Sequence, residues 1–374
     1  MQYSNFDSIG RSISKLGFGL MRLPKKEENS EIIDRDEAFR LIDLAMKSGV
    51  NYYDTAYFYH GGDSEQFVKE ALSRYPRESF CLATKLPGGV IKDKEKNTEE
   101  IFNGQLEKCG VDYFDFYLLH AVSEDNMWVF EEDNSYEYLT KQKELGKIRH
   151  LGFSYHGNLE FFLKLIDKYK WDFVQLQFNY YDWENQNAKA YYEALEERNI
   201  PCIVMEPVRG GSLHTLYDEA RKIFEELGDS TAASYALRYV AELPNVLVTL
   251  SGMSTYEQVE DNLKTFDELK PLTDTEKEAI EKANVLFRKN FAVPCTDCKY
   301  CVETCPAGIN IPACFTAYNE YNKTRDTKDF SKHYELISED QRANNCLDCK
   351  ACVEKCPQKI DIPRQLRRVS EISE

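Results

Sequence analysis

One run of cysteines sets the architecture of the C-terminal part of this chain, and it occurs twice: Cys295-Thr-Asp-Cys298-Lys-Tyr-Cys301-Val-Glu-Thr-Cys305-Pro306 and Cys346-Leu-Asp-Cys349-Lys-Ala-Cys352-Val-Glu-Lys-Cys356-Pro357. The residues after each run also match, with Gly-Ile-Asn-Ile-Pro312 after the first and Lys-Ile-Asp-Ile-Pro363 after the second. The match of both runs and flanks indicates that one ligand-binding unit has been duplicated.

A pair of zinc sites is the alternative interpretation of these cysteines. Zinc ribbons normally use two spaced pairs of ligands. Here three closely spaced thiolates suit one face of a cubane, and a distant fourth thiolate closes it. The spacing and the trailing prolines therefore predict two [4Fe–4S] clusters.

The doubled run resembles the runs of two-cluster ferredoxins, in which the fourth cysteine of each run binds the other cluster. The resemblance implies two ligand sets that exchange their fourth members: Cys295, Cys298, Cys301 and Cys356 in one, and Cys346, Cys349, Cys352 and Cys305 in the other. The segment between the runs is longer than in compact bacterial ferredoxins. Because Tyr318–Lys323 and Ser338–Ala343 have helical patterns, a mainly helical variant is expected.

Length and charge restrict the class of protein further. The 374 residues suit one large domain of about 250 residues or more and a smaller one. The formal net charge of −17 repels nucleic acid and anionic membranes, so neither is expected as a partner. Without signal-peptide features or a long apolar stretch, and with 12 cysteines suited to ligation, the chain is predicted to be cytoplasmic.

From about residue 14 to 270, short apolar runs alternate with longer amphipathic ones, which is typical of repeated βα units. Eight strands are predicted: Ser14–Leu20, Asn51–Asp54, Phe80–Lys85, Phe114–His120, His150–Ser154, Phe173–Gln177, Cys202–Glu206 and Val246–Ser251. Eight such units close naturally into a barrel, although an open doubly wound sheet has the same local pattern. Thr273-Asp-Thr-Glu276 predicts a capping box that opens a helix to about Arg288. We therefore divide the chain into domains at residues 1–289 and 290–374.

Three segments carry a resemblance to a known family. Asn51-Tyr-Tyr-Asp54-Thr-Ala-Tyr-Phe-Tyr59 closely resembles the aldo-keto reductase motif in which an aspartate at a strand end precedes the catalytic tyrosine by five positions. Phe-Cys-Leu-Ala-Thr-Lys85 is similar to the family's catalytic-lysine strand, and Asp-Phe-Tyr-Leu-Leu-His120 to its catalytic-histidine strand. The resemblance implies an α/β fold, a (β/α)8 TIM barrel followed by a small, mainly helical ferredoxin-like iron-sulfur domain.

The resemblance also implies a catalytic tetrad of Asp54, Tyr59, Lys85 and His120. Reduction of a carbonyl by hydride leaves an alkoxide that needs a proton, and a free tyrosine with a pKa near ~10 is a reluctant donor. Lys85 would lower that pKa, Asp54 would hold Lys85, and His120 would orient or polarise the carbonyl. Each residue alone has an ordinary structural explanation, so their co-occurrence in family order carries the prediction. Tyr57 is the rival acid, at an offset of three from Asp54.

Coenzyme positions follow from the same resemblance. Ser154 and Gln175 match residues that bind the nicotinamide amide, and Met205 stands where many members stack a tyrosine on the ring. Gly252 and Gln258 stand where a lysine and an arginine often bind the 2′-phosphate, so a preference for NADPH is not assumed. The predicted coenzyme-binding residues are Gly19, Met21, Asp54, Ser154, Gln175, Met205, Pro207, Gly252, Met253, Gln258 and Asn262.

Three hypotheses cover the whole chain. The first is an NAD(P)H-dependent reductase of a small aldehyde or ketone with ancillary clusters. The second is an electron-transfer reductase in which the clusters exchange electrons with a ferredoxin-like partner. Because hydride donors move electron pairs and clusters move single electrons, the second hypothesis favours a bound flavin, for which the sequence shows no clear motif. The third is a non-enzymatic redox sensor or adaptor, against which the intact tetrad argues.

Overall fold

The computed structural model describes residues 1–27, 31–216, 218–228, 230–290 and 292–373. The chain divides into two compact units, which we call the barrel unit (Met1–Pro207 and Ala233–Leu272) and the cysteine unit (Val208–Ala232 and Thr273–Glu374). The boundary near residue 290 stays a prediction, and the segment Val208–Ala232 groups with the cysteine unit.

The barrel unit contains a closed barrel of eight parallel strands, preceded by a short antiparallel hairpin of β1 and β2. The strands are β1 Tyr3–Ser4, β2 Ile13–Ser14, β3 Leu16–Gly19, β4 Tyr52–Asp54, β5 Cys81–Leu86, β6 Phe114–Val122, β7 Ile148–Tyr155, β8 Phe173–Gln177, β9 Cys202–Met205 and β10 Val246–Ser251. Closure occurs between β10 and β3, which pair in parallel. The predicted TIM barrel is therefore confirmed, and the open doubly wound sheet is not formed.

Helices follow most of the barrel strands and also build the cysteine unit. They are α1 Arg35–Lys47, α2 Ser64–Leu72, α3 Gly88–Lys92, α4 Thr98–Cys109, α5 Met127–Glu132, α6 Ser135–Glu144, α7 Leu159–Lys168, α8 Asp182–Asn185, α9 Ala188–Glu197, α10 Asp218–Glu225, α11 Ala232–Ala241, α12 Tyr256–Asp267, α13 Asp274–Asn290, α14 Ile311–Thr324, α15 Thr327–Tyr334 and α16 Ile362–Ser373. Among the described residues, no helix is long and apolar enough to cross a membrane.

The barrel interior is filled by large apolar side chains from alternate positions of the strands. One buried cluster contains Ile9, Ile13, Tyr52, Cys81, Ala83, Phe116, Leu118, Phe173, Ile203, Leu247, Val248 and Leu250. Ile9 and Ile13 come from the N-terminal hairpin, which sequence analysis did not predict. Because Ile13 precedes β3, the hairpin adds its side chains at the N-terminal end of the barrel and leaves the C-terminal strand ends for the site.

Gly152 in β7 allows a close approach that a side chain would prevent. A Cβ atom there would lie 2.5 Å from the Phe173 carbonyl oxygen. We expect Gly152→Ala to destabilise the protein by about 1–3 kcal/mol, measured as a lower midpoint of thermal unfolding. The matched control is Gly104→Ala in α4, where a Cβ would meet nothing within 4 Å. That change should stabilise by about 0.5–1 kcal/mol, so equal midpoints for the two variants would contradict the argument.

The duplicated flanks of the cysteine runs form helix starts in the cysteine unit. The Asn310 side chain accepts from the Ala313 N–H at 3.4 Å at the start of α14. Asp361 accepts from the Arg364 N–H at 3.4 Å at the start of α16. A capping side chain followed by proline in the first turn is a strong helix start, which explains why both flanks share Ile-Pro after the cap. The predicted mainly helical character of this domain is confirmed.

The other predicted elements of the cysteine unit also have counterparts. The Thr273 N–H donates to Glu276 Oε2 at 2.7 Å and the Glu276 N–H donates to Thr273 Oγ1 at 3.3 Å, so the capping box is present at the start of α13. Tyr318–Lys323 lies inside α14. The helical prediction for Ser338–Ala343 is wrong for an α-helix, because this stretch contains only the 3-10 turn Glu339–Gln341 and the first residue of a second turn, Ala343–Asn345.

Candidate active site and cluster sites

The four predicted tetrad residues lie at the C-terminal ends of three adjacent barrel strands. Asp54 is the last residue of β4, and Tyr59 begins the short turn Tyr59–Gly62 that follows it. Lys85 is near the end of β5 and His120 near the end of β6. Because β4, β5 and β6 are hydrogen-bonded neighbours, their ends meet at one side of the barrel mouth.

Lys85 connects the group. Its Nζ donates to Asp54 Oδ1 at 2.6 Å and to the Tyr59 hydroxyl at 3.1 Å. Lys85 is 1% exposed and Asp54 is 3% exposed, so this ion pair is shielded from water. The rival acid Tyr57 has a different neighbour, because Lys108 Nζ lies 4.6 Å from its ring centroid.

A β-bulge near the end of β6 directs His120 toward the site. The register of β6 against β7 shifts between Leu119 and Val122, and Ala121 has a φ of 52°. The Ala121 N–H donates to Ser154 Oγ at 2.8 Å, and the Ala121 carbonyl accepts from Asn126 Nδ2 at 2.8 Å. These bonds hold a strained backbone, and the His120 ring consequently lies 6.3 Å from the Tyr59 ring, edge to face.

Burial dominates the electrostatics of the site. It lowers the pKa of Lys85 and raises the pKa of Asp54, and the ion pair between the two groups opposes both shifts. Burial and then the Lys85 charge hold the pKa of His120 well below its usual value. Burial also lowers the pKa of His156 to about 4. Both imidazoles are therefore neutral near pH 7, and a neutral imidazole can donate a hydrogen bond to a carbonyl.

A buried polar network supports Lys85 from behind, and sequence analysis missed it. Glu65 Oε1 accepts from Thr84 Oγ1 at 2.7 Å and from Gln105 Nε2 at 2.6 Å. Gln105 Nε2 also donates to the Lys85 carbonyl at 3.0 Å, and its Oε1 accepts from Tyr117 at 2.6 Å. Burial raises the pKa of Glu65. A glutamate and a glutamine on the barrel-facing sides of α2 and α4 are the only local signal of this network.

The residues predicted to bind the nicotinamide amide lie together. Gln175 Nε2 approaches Met205 Sδ at 3.6 Å, and Ser154 on the neighbouring strand accepts the bond from Ala121. Gln175 Oε1 and Asp54 Oδ2 are buried without a hydrogen-bond partner in the described part of the chain. A buried acceptor of this kind suits the N–H groups of a bound carboxamide.

Four more predicted coenzyme residues follow β10: Gly252 and Met253 lie in the loop, and Gln258 and Asn262 lie in α12. Asn262 Nδ2 donates to Ser251 Oγ at 2.8 Å, and Gln258 Oε1 accepts from the Ser254 N–H at 2.8 Å. Met253 is fully buried, and Gly252 is exposed. Both polar side chains therefore shape the turn at the N-terminus of α12, a helix end that favours anions.

The remaining coenzyme residues are spread around the same mouth. Gly19 ends β3, Met21 lies half-buried in the turn Leu20–Arg22, and Pro207 is buried after β9. A Cβ on Gly252 would lie 3.0 Å from side-chain carbons of Arg22. Arg22 Nη2 also lies 3.7 Å from Glu206 Oε1. Sequence analysis did not single out Arg22, because its approach to Gly252 depends on barrel closure.

The cysteine unit contains two cavities, each lined by four of the predicted ligands. One is lined by Cys295, Cys298, Cys301 and Cys356. The other is lined by Cys305, Cys346, Cys349 and Cys352. We call these the first set and the second set. Among the described residues, no group of three or more His, Cys, Asp or Glu side chains has the arrangement needed to hold a single metal ion.

The thiols of each set also act on one another electrostatically. Burial raises the pKa of Cys352 to about 11, with further contributions from Cys305, Cys346 and Cys349. The pKa of Cys301 is raised by burial and then by Cys298, Cys295, Cys356 and Cys352. The fourth cysteine of each run therefore lies beside the first three of the other run.

The closed barrel carries four polar residues near its C-terminal strand ends, which is where TIM-barrel enzymes have their active sites. A cysteine-rich domain follows the barrel in the chain. The aldo/keto reductase family model matches residues 15–285, and the 4Fe-4S dicluster domain model matches residues 294–360. The chain belongs to the aldo/keto reductase family and carries a C-terminal 4Fe-4S dicluster domain. Use of NADP(H) is typical of this family.

Relatives support this assignment over about three quarters of the chain. Uncharacterized oxidoreductase YqkF of Bacillus subtilis is 26% identical, covering 73% of this chain and 95% of that protein. Protein tas of Escherichia coli is 24% identical, covering 71% of this chain and 93% of that protein. Among solved structures, aldo-keto reductase AKR11C1 from Bacillus halodurans in its holo form is 26% identical, with a TM-score of 0.58, and covers 76% of this chain and 96% of that one.

Proposed function

We propose that the barrel reduces an aldehyde or ketone with NAD(P)H and that Tyr59 is the general acid. The observation that carries the proposal is the position of Lys85 Nζ, which donates both to Asp54 at 2.6 Å and to the Tyr59 hydroxyl at 3.1 Å. A buried cation at this distance favours the phenolate left after proton transfer. Tyr59 itself is half-buried.

Each residue of the site has one task in this reaction. The bound coenzyme supplies the hydride. Tyr59 donates its proton to the carbonyl oxygen, and Lys85, held by Asp54, stabilises the resulting phenolate. His120, neutral near pH 7, orients the carbonyl through a hydrogen bond. Gln175 and Ser154 would hold the carboxamide of the coenzyme, since Gln175 Oε1 is a buried acceptor without a partner in the described residues.

Coenzyme choice can be predicted from the loop before α12. Because Gly252 and Gln258 replace cations that often bind the 2′-phosphate, we expect NADH to compete well with NADPH in binding titrations. NADPH binding more than a hundredfold tighter, about 2.7 kcal/mol, would contradict this expectation. Arg22, whose side-chain carbons lie 3.0 Å from the Cβ position of Gly252, would then become the candidate phosphate ligand, testable as Arg22→Met.

We propose further that each cysteine set binds one [4Fe–4S] cluster. Two cavities, each lined by four of the predicted ligand cysteines, support this loading. A ferredoxin-coupled reductase is the second candidate function, favoured by the unequal exposure of the two sets: Cys349 of the second set is exposed, whereas the first-set cysteines are buried or half-buried. That function would need a two-electron relay such as a flavin, for which no motif was found.

One analysis separates these functions. Anaerobically purified protein should contain about eight irons and eight sulfides per chain, and it should reduce carbonyls with NAD(P)H without an added electron carrier. Stoichiometric zinc with little iron would remove the cluster proposal. Bound flavin together with turnover that requires a reduced carrier would favour the second candidate, whereas cluster loading without turnover under any condition would leave the sensor hypothesis.

A further inference from the structure

The two cysteine runs are sequence repeats, but equivalent positions in them have very different surroundings. Thr296 and Leu347 each follow the first cysteine of their run. Thr296 is 3% exposed, whereas Leu347 is 68% exposed. The second cysteine of each run follows two positions later. Cys298 in the first run is half-buried, whereas Cys349 in the second run is exposed. Duplication alone would give equal exposure, so the tertiary structure covers one repeat and leaves the other open.

Part of the cover over the first run comes from Arg209 and Gly210, which lie in a segment that belongs to the cysteine unit. Arg209 in this segment is fully buried, and its Nη2 donates to Gln358 Oε1 at 2.9 Å and to the Pro294 carbonyl at 3.2 Å. A Cβ on Gly210 would lie 2.4 Å from the Thr296 carbonyl oxygen. The backbone of this segment therefore lies directly against the loop of the first run and shields it from solvent.

The open repeat is also the basic one. Five positions that carry a lysine or arginine in the second repeat are uncharged at the equivalent place in the first: Lys355, Lys359, Arg364, Arg367 and Arg368 against Thr304, Gly308, Ala313, Thr316 and Ala317. All five basic side chains are exposed. The second repeat thus gains five basic side chains and one acidic one, Asp361 in place of Asn310, on a chain whose formal net charge is −17. Both differences between the repeats therefore fall around the second set.

A contact joins this basic helix face to the exposed loop. Arg367 Nη1 of α16 lies 3.0 Å from Asp348 Oδ2, between Leu347 and Cys349. Arg364 and Arg368 are spaced i, i+4 and flank Arg367 on the same side of α16. We call the group Leu347, Cys349, Arg364, Arg367 and Arg368 the port surface. It combines an exposed apolar side chain (Leu347), three arginines and an exposed predicted cluster ligand (Cys349).

We propose that the port surface docks a small acidic protein that carries one electron, and that electrons enter or leave the chain through the second set. The proposal rests on the cluster loading proposed above. In the entering direction the carrier would lose one electron, and a cluster held by Cys305, Cys346, Cys349 and Cys352 would gain it, with no bond made or broken. The first set, which is covered, would then hold the cluster that does not face the partner. Charge complementarity selects an acidic partner.

The test is stopped-flow reduction of the cluster-loaded, full-length chain by a reduced, acidic plant-type [2Fe–2S] ferredoxin as the probe. The double variant Arg364→Glu and Arg368→Glu reverses the charge at two of the three arginines of the port surface but keeps the Arg367 contact with Asp348. Leu347→Glu removes the apolar centre. The matched control, Lys92→Glu combined with Lys96→Glu, makes the same charge change at exposed residues of the barrel unit. Iron content and the EPR amplitude after dithionite reduction are measured first for every variant.

We expect the second-order rate at low salt to fall by about tenfold or more in the double arginine variant and in Leu347→Glu. The lysine control should change it less than about twofold, and the arginine effect should shrink at high salt because salt screens exposed charges. If the port-surface variants contain about eight irons and are reduced as fast as the lysine control, the docking proposal is wrong, whereas the cluster loading still holds. A change of oligomeric state without a change of rate would also overturn it and would assign the surface to self-association. If the purified chain holds no cluster on the second set, both the proposed cluster loading and the docking proposal are wrong.

Discussion

Replacing Tyr59 with phenylalanine should lower kcat for carbonyl reduction by roughly 10²–10⁴-fold, the range typical of a lost general acid. The substitution keeps the ring and removes only the hydroxyl that accepts the 3.1 Å bond from Lys85. Nicotinamide binding and the unfolding midpoint should therefore change little. The measurement is steady-state turnover with a set of small aldehydes and ketones, together with a coenzyme titration.

The matched control for this experiment is Tyr57→Phe. Tyr57 lies on the same loop, but its ring faces Lys108 at 4.6 Å, so its hydroxyl should contribute little to turnover. Lys85→Met removes the buried cation beside Tyr59, and the pH limit assigned to loss of the phenol proton should move to higher pH. Full activity in Tyr59→Phe would overturn the assignment of the proton donor.

Replacing Cys356 with serine should remove the cluster of the first run, although Cys356 belongs to the second run. The reason is geometric, because Cys356 lines the same cavity as Cys295, Cys298 and Cys301. Iron should fall from about eight to about four per chain, since a cubane needs its fourth ligand. Cys305→Ser should have the mirror effect on the second set, and EPR spectra of the two variants should differ.

Cys314→Ser is the control, because Cys314 is fully buried in the same unit but lines neither cavity. It should retain about eight irons. If Cys356→Ser lost only the cluster held by Cys346, Cys349 and Cys352, ligand exchange between the runs would be wrong.

Barrel strands and helix starts were predictable because their determinants are local. The predicted strands at Phe173–Gln177 and Val246–Ser251 have the observed bounds. Apolar periodicity and capping side chains act over a few residues, so they can be recognised without knowing the fold. The candidate tetrad could also be named from sequence, because its residues lie in three segments that resemble the family's motifs.

Other features of the site depend on contacts between distant segments. The bulge at Ala121 exists because β6 and β7 differ by one residue in register, and the network around Glu65 joins α2, α4 and β5. The approach of Arg22 to Gly252 requires β3 and β10 to close the barrel. None of these pairings has a local signal, since the partners are far apart in the chain.

From the sequence one could predict the family and, through that resemblance, the barrel, the eight candidate ligand cysteines and the four candidate tetrad residues, because the motifs that carry them are local stretches of the chain. Only the folded chain shows that Arg209 and Gly210 lie against the first cysteine run, while Leu347 and Cys349 of the second run are exposed. The two runs are nearly identical in sequence, so their difference cannot come from local propensity. It arises from Arg209 and Gly210, which reach the first run through long-range packing that only the folded chain defines.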